Sequence, residues 1–225
     1  MSSALTVLYG GTFDPIHLGH LHIARAARDR LQATVSLMPA ADPPHRELTG
    51  ANAAQRLAMV RLAVADETGL QVDARELERD EPSYTVETLR QWRAQHGKER
   101  PLAILIGADS FLSLPSWYRW QELADLAHLV IAERPGHHTE TSQSPELRQA
   151  YAERFTDRAQ DLSGRPAGLA LRLLQSEMDL SATRIRREIA AGGPEWRLAV
   201  KPAVARYIEQ HGLYGCPQGL RADIH

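Results

Sequence analysis

The run Gly10-Gly11-Thr12-Phe13-Asp14-Pro15-Ile16-His17-Leu18-Gly19-His20 holds the residue types that can cradle a phosphate. Paired glycines let the backbone come close to a ligand. A helix start just beyond them has free N–H groups that favour an anion. His17 and His20 add imidazole donors at i and i+3, positions that share one face of a helical turn. Two glycines, two histidines and a helix start together suggest a phosphate cradle, the alternative being a glycine-rich turn with histidines packed for structure. The run is not a dinucleotide glycine fingerprint, which needs a third glycine at the helix. Nor is it a P-loop, which needs Gly-Lys-Ser/Thr.

Ser181-Ala182-Thr183-Arg184-Ile185-Arg186 follows the same logic at another helix start. Ser181 suits the N-cap, and exposed amides and the Ser181 and Thr183 hydroxyls can meet phosphate oxygens. Arg186 can add a bidentate guanidinium contact. Facing the histidine turn, this start would clamp a polyphosphate from the other side. The plainer alternative is helix capping on a solvated basic face. Gly107-Ala108-Asp109 follows an apolar run, and an acidic residue there can accept ribose hydroxyls. The alternative for Asp109 is a helix cap. Trp117 and Tyr118 offer faces for a flat ring, with core packing as the alternative for Trp117. Trp120 reads as core and Gln55-Arg56 as structural. His137-His138 and His225 read as surface residues.

Elements that must position these groups alternate along the chain. Residues 5–8, 35–38, 70–77, 102–106, 128–132 and 169–174 read as strands. Helical patterns start at Leu21, at Asn52 with Gly69 as their stop, and at residues 82–85 with Ser83 or Thr85 as N-cap. Others lead to Leu126, span 146–155, open at Ser181 and run over 203–210. The segment 39–49 carries Pro43-Pro44-His45-Arg46 and cannot be helical. Such alternation predicts an α/β fold with a mainly parallel sheet and helices on both faces. We expect a single domain over 1–215, its C-terminal helical part about 181–214, and a tail over 216–225.

Composition narrows the classes. A chain of 225 residues with 43% apolar content suffices for one substantial core. A net charge of −2 argues against a general nucleic-acid surface, so positive charge for phosphates must be local. The one cysteine, Cys216, excludes an intrachain disulfide and suits a reducing, cytoplasmic setting. No apolar run approaches membrane-spanning length, and no leader-like segment is expected.

Gly11-Thr12-Phe13-Asp14-Pro15 with His17-Leu18-Gly19-His20 resembles the signature of the nucleotidylyltransferase superfamily. Further motifs occur in order: Pro43-Pro44-His45-Arg46, Ser83-Tyr84-Thr85, Ile106-Gly107-Ala108-Asp109-Ser110, Trp117-Tyr118, Leu180-Ser181-Ala182-Thr183-Arg184-Ile185-Arg186, and Gly212-Leu213-Tyr214. Together, from Leu5 to Tyr214, they are similar to the bacterial nicotinate-mononucleotide adenylyltransferase family. The resemblance implies a doubly wound, Rossmann-like nucleotidylyltransferase fold and adenylyl transfer from ATP to nicotinate mononucleotide. It implies that His17, His20 and Arg186 are catalytic, and that Gly10 to Phe13, Gly107, Asp109, Ser181 and Thr183 belong to the ATP site. It implies that Trp117 stacks on the nicotinate ring, with Tyr84, Thr85 and Tyr118 beside it and backbone amides on the carboxylate. His45 and Arg46 on their proline-stiffened loop, and Arg134 after its strand, are candidates for the mononucleotide phosphate, with plain surface charge as the alternative. Mg²⁺ would be held by phosphates and water, with no protein ligands. The implied partners are these small molecules, with no nucleic acid or membrane; oligomeric state is left open. Lys201 departs from the apolar step usual before the last helix and touches the packing there. Relatives acting on phosphopantetheine, glycerol phosphate or nicotinamide mononucleotide, and a non-catalytic nucleotide sensor, remain the alternatives.

Overall fold

Uninterrupted apolar runs set the sheet, as expected for parallel strands buried on both faces. The computed structural model describes residues 4–41, 50–79, 83–133, 143–174, 178 and 180–217. The strands are β1 (Thr6–Gly11), β2 (Thr34–Pro39), β3 (Leu70–Val72), β4 (Leu102–Gly107), β5 (His128–Glu133) and β6 (Ala170–Leu174). They form one sheet in the order β3-β2-β1-β4-β5-β6, and every pairing is parallel. Among the described residues the sheet is all parallel, in line with the parallel sheet that the alternation predicts. The helices are α1 (Leu18–Leu31), α2 (Ala53–Val64), α3 (Thr85–His96), α4 (Ala108–Leu112), α5 (Leu123–Leu126), α6 (Pro145–Tyr151), α7 (Ala159–Ser163), α8 (Ala182–Ala190) and α9 (Pro202–Gln210).

Strand alternation sends residues to two separate cores. Val7, Tyr9, Val35, Leu37, Leu105 and Val130 pack on one face, against α1, α2, α8 and α9. Leu8, Ile104, Ile106, Leu129 and Ile131 pack on the other, against Val86, Leu89 and Trp92 of α3 and against Trp120. Trp120 is core, as its sequence context predicts. Cys216, placed at the head of the tail by sequence, is buried in the first core.

Several boundaries differ from the sequence reading, each for a local reason. α1 starts at Leu18 because His17, in extended conformation, occupies its N-cap. β3 ends at Val72, since residues 75–78 form a turn. α2 ends at Val64, before Gly69; Gly69 adopts φ 78 in the turn that enters β3. Tyr84, rather than Ser83 or Thr85, is the N-cap of α3 and makes no side-chain cap bond. The 146–155 helix is shorter, and α7 was not anticipated. Lys201 is accommodated by charge: its ammonium lies 2.9 Å from Asp66 and 2.8 Å from Glu67. Arg25 of α1 also donates to Glu67, at 3.0 Å through Nε.

Candidate active site

β1 and β4 are neighbours, with Tyr9 opposite Leu105, and sequence order reverses between them. Their carboxyl ends deliver Gly10-Gly11 and Gly107 to one edge of the sheet. In open parallel sheets the crevice at that reversal is where ligands bind. Gly107 caps α4, and a Cβ there would meet nothing within 4 Å. Asp109 is exposed in the first turn of α4.

The glycines at the end of β1 serve different ends. A Cβ on Gly11 would lie 2.9 Å from the Phe13 ring. Phe13 turns back at φ 51 and packs edge-on to Tyr9, centroids 5.5 Å apart. Its side chain is core, so its backbone is the part that can face a ligand. Thr12 is exposed. Arg56, only 2% exposed, fixes this turn from beneath. It donates to the carbonyls of Thr12 and Ala40, each at 2.7 Å. Arg56 is structural, as read from the sequence, and what it braces is the turn after β1.

His17 and His20 stack with ring centroids 3.7 Å apart. The backbone N–H of His17 donates to Nδ1 of His20 at 3.2 Å. With Nδ1 as acceptor, a neutral His20 carries its proton on Nε2 and is a donor there. Nδ1 of His17 is buried with no partner in the protein. Burial lowers the pKa of His17 to about 4. Burial, then the neighbouring His17, lowers that of His20 to about 3. Both rings are therefore neutral at pH 7. Gly19 makes room for them: a Cβ there would lie 3.0 Å from the His17 ring.

A cleft of about 340 Å³ joins the two helix starts named in the sequence. His17, Gly19 and His20 line one side, and Leu180, Ser181 and Ala182 the other. Ser181 is the N-cap of α8, its hydroxyl accepting from the Arg184 N–H at 3.2 Å. It thus both caps the helix and lines the cleft. Thr183 is exposed in the first turn of α8. Arg186 is half-buried and donates through Nη1 to the Asp14 carbonyl at 2.6 Å. Its Nη1 lies 3.8 Å from Asp14 Oδ2.

Tyr84 and Tyr118 meet, ring centroids 4.7 Å apart, and are 45% and 52% exposed. Thr85 opens α3 beside them. Trp117 is half-buried against the second core, leaving it partly available. His45, Arg46 and Arg134 lie outside the described residues.

Sequence reasoning missed Asp14 and Tyr214 as site groups. Asp14 Oδ1 accepts from the Tyr214 hydroxyl at 2.7 Å and from the Ala51 N–H at 2.9 Å. Asp14 stands inside the opening motif and Tyr214 inside the closing one, but nothing local says that they touch.

The assembled groups are neutral imidazole N–H donors, helix-start amides and a guanidinium. Such a set receives the charge of a polyphosphate and supplies no side-chain nucleophile. Among the described residues no group of three or more His, Cys, Asp or Glu is set to hold a metal ion.

The chain matches the family model described as Cytidylyltransferase-like over residues 8–188. It is 53% identical over 219 residues to a Stenotrophomonas maltophilia protein named "Probable nicotinate-nucleotide adenylyltransferase", covering 95% of this chain and 98% of that one. A Marinobacter nauticus protein of the same name is 47% identical over 210 residues, covering 93% and 96%. In fold the chain is similar to Plasmodium falciparum nicotinic acid mononucleotide adenylyltransferase solved with NaAD. The TM-score is 0.69 at 15% identity, covering 96% of this chain and 100% of that one.

Proposed function

The chain belongs to the cytidylyltransferase-like family and, within it, to the nicotinate-nucleotide adenylyltransferases, and from that premise we propose how its residues carry the reaction. It transfers the adenylyl group of ATP to nicotinate mononucleotide, forming nicotinate adenine dinucleotide and pyrophosphate. A phosphate oxygen of the mononucleotide attacks the α-phosphorus in line, and the bond to the bridging oxygen of pyrophosphate breaks. The attacking oxygen is already anionic at neutral pH. The protein's work is therefore positioning and charge stabilisation.

The observation that carries this reading is the stack of buried His17 on half-buried His20, facing the Ser181 helix start across one cleft. The triphosphate lies between them. His20 Nε2–H, the free amides at the start of α1 and the Arg186 guanidinium stabilise charge on the bridging and leaving oxygens. Ser181, Thr183 and the first amides of α8 hold the terminal phosphates. Gly107 leaves space for the nucleoside at the end of β4, where Asp109 accepts its ribose hydroxyls. Trp117, Tyr118, Tyr84 and Thr85 form the nicotinate side, and His45, Arg46 and Arg134 serve the mononucleotide phosphate. Mg²⁺ would come with ATP and would be held by phosphate oxygens and water, as suits its reluctance to dehydrate, offsetting phosphate charge. The donors around the cleft match phosphate oxygens, and Asp14 already has hydrogen-bond donors on its carboxylate. The single cysteine supports a cytoplasmic setting.

His20→Ala tests the assignment. It should lower kcat for pyrophosphate release by roughly 10²–10³, the scale of a lost transition-state donor. A kcat near that of the unaltered enzyme would remove His20 from the mechanism.

A further inference from the structure

We infer that Tyr214 is a positioning residue for adenylyl transfer, holding the Asp14 carboxylate so that Arg186 stays free to meet phosphate; this rests on the reading of the glycine-histidine turn as the phosphate site.

Three segments far apart in the chain converge on Asp14: residues 50–51, Arg186 and Tyr214. Its backbone carbonyl accepts from Arg186 of α8 at 2.6 Å. Its Oδ1 accepts from the Tyr214 hydroxyl at 2.7 Å and from the Ala51 N–H at 2.9 Å. Gly50 closes on the other oxygen so tightly that a Cβ would lie 1.8 Å from Oδ2. The carboxylate is thus oriented by two donors and by a glycine that alone fits beside it.

Arg186 stands between two acceptors on this one residue. It is bonded to the carbonyl, while its Nη1 remains 3.8 Å from Oδ2, beyond hydrogen-bond distance. A guanidinium prefers a bidentate carboxylate pair to a single carbonyl contact. The Tyr214 hydroxyl and the Ala51 amide occupy the carboxylate and oppose that rearrangement. Without the hydroxyl, Oδ1 retains one donor, and the carboxylate can turn and draw the guanidinium down. Arg186 would then be spent on Asp14 instead of on the transferring phosphates.

The backbone at Tyr214 supports a demand beyond packing. Tyr214 has φ 59, with Gly212 at φ 58 and Gly215 at φ 78 on either side. A bulky residue rarely adopts this left-handed conformation. Such strain persists where surrounding structure dictates it. Here it brings the phenol onto Asp14. Burial, then the hydrogen bond to Asp14, pushes the phenol pKa far above its ordinary value, so it remains a donor at every working pH.

Tyr214→Phe and Arg186→Lys, singly and combined, test this. Four proteins are compared by kcat for pyrophosphate release, by calorimetric Kd for inorganic pyrophosphate, and by Tm. Tyr214→Phe alone should lower kcat and weaken pyrophosphate binding by about tenfold, the scale of one hydrogen bond to a charged group. Its Tm should stay within a few degrees. In the Arg186→Lys background the same change should cost less than about twofold, because coupled residues do not add. Equal losses in both backgrounds, or no loss from Tyr214→Phe, would overturn the inference. If Arg186→Lys alone changed neither kcat nor Kd, the phosphate role of Arg186 would fail. A Tyr214→Phe loss persisting beside it would show a route that bypasses the arginine and would also overturn the inference.

Discussion

His17 and His20 are neutral in the free protein because burial denies their charged forms water, with the stacked neighbour adding to the effect at His20. Their charge is therefore conditional on what fills the cleft. A polyphosphate beside the rings favours imidazolium and raises both pKa values towards the solution range. ATP binding at pH 6 should accordingly take up protons. Titration calorimetry in buffers of different ionisation enthalpy checks this; a binding enthalpy independent of buffer would contradict it. The same shifts carry a sign for stability. Below about 6.5 the unfolded chain binds protons that the folded rings do not, so this pair costs stability as pH falls from 6.5 towards 4. The buried His128, whose pKa is also lowered chiefly by burial, acts in the same direction. Tm of the free enzyme should drop across that window, and saturating ATP should flatten the drop.

At the level of elements, the site depends on how α1 begins. His17 is the N-cap, His20 lies in the first turn, and Gly19 between them admits the His17 ring. Alanine at a helical glycine ordinarily gains up to about 1 kcal/mol of helix propensity. At Gly19 that gain is opposed by a Cβ 3.0 Å from a ring that is itself stacked and buried. Gly19→Ala should therefore leave Tm nearly unchanged while raising KM for ATP about tenfold, as steady-state kinetics would read. Unchanged KM would show that the ring shifts without consequence. Much of this element pattern was legible in the sequence. Apolar runs marked β1, β4 and β5, and Ser181 was identifiable as the α8 cap. In sequence α1 reads from Leu21 rather than Leu18, because an N-capping histidine gives none of the usual Ser, Thr, Asp or Asn signal. β3 reads longer in sequence than Leu70–Val72 because loose alternation continues into residues 75–78, a turn where Glu76 is buried on Thr88.

At the level of the whole molecule, one sheet edge gathers groups that the chain supplies from its two ends. The doubly wound order places the ends of β1 and β4 side by side, and α8 returns to close the cleft. Motif types and order singled out the glycine-histidine turn and the Ser181 start, which line one cleft, and Tyr84 and Tyr118, whose rings meet. Supporting contacts were not disclosed. Arg56 reaches Thr12 across 44 positions, Ala51 reaches Asp14 across 37, and Tyr214 reaches Asp14 across 200. No periodicity or local spacing encodes such pairs; they exist only once the sheet has brought its edges together. Lys201 is similar: odd beside a proline in sequence, it joins the start of α9 to Asp66 and Glu67 after α2. The central claim is that this edge joins an adenylyl group to the acid form of a pyridine mononucleotide. Its most direct test is the steady-state rate of pyrophosphate release from ATP and Mg²⁺, with nicotinate mononucleotide and with its amide in parallel. Fast release with the acid and much slower release with the amide is the expected result. Release favouring the amide, or no release with either despite ATP binding, would contradict it.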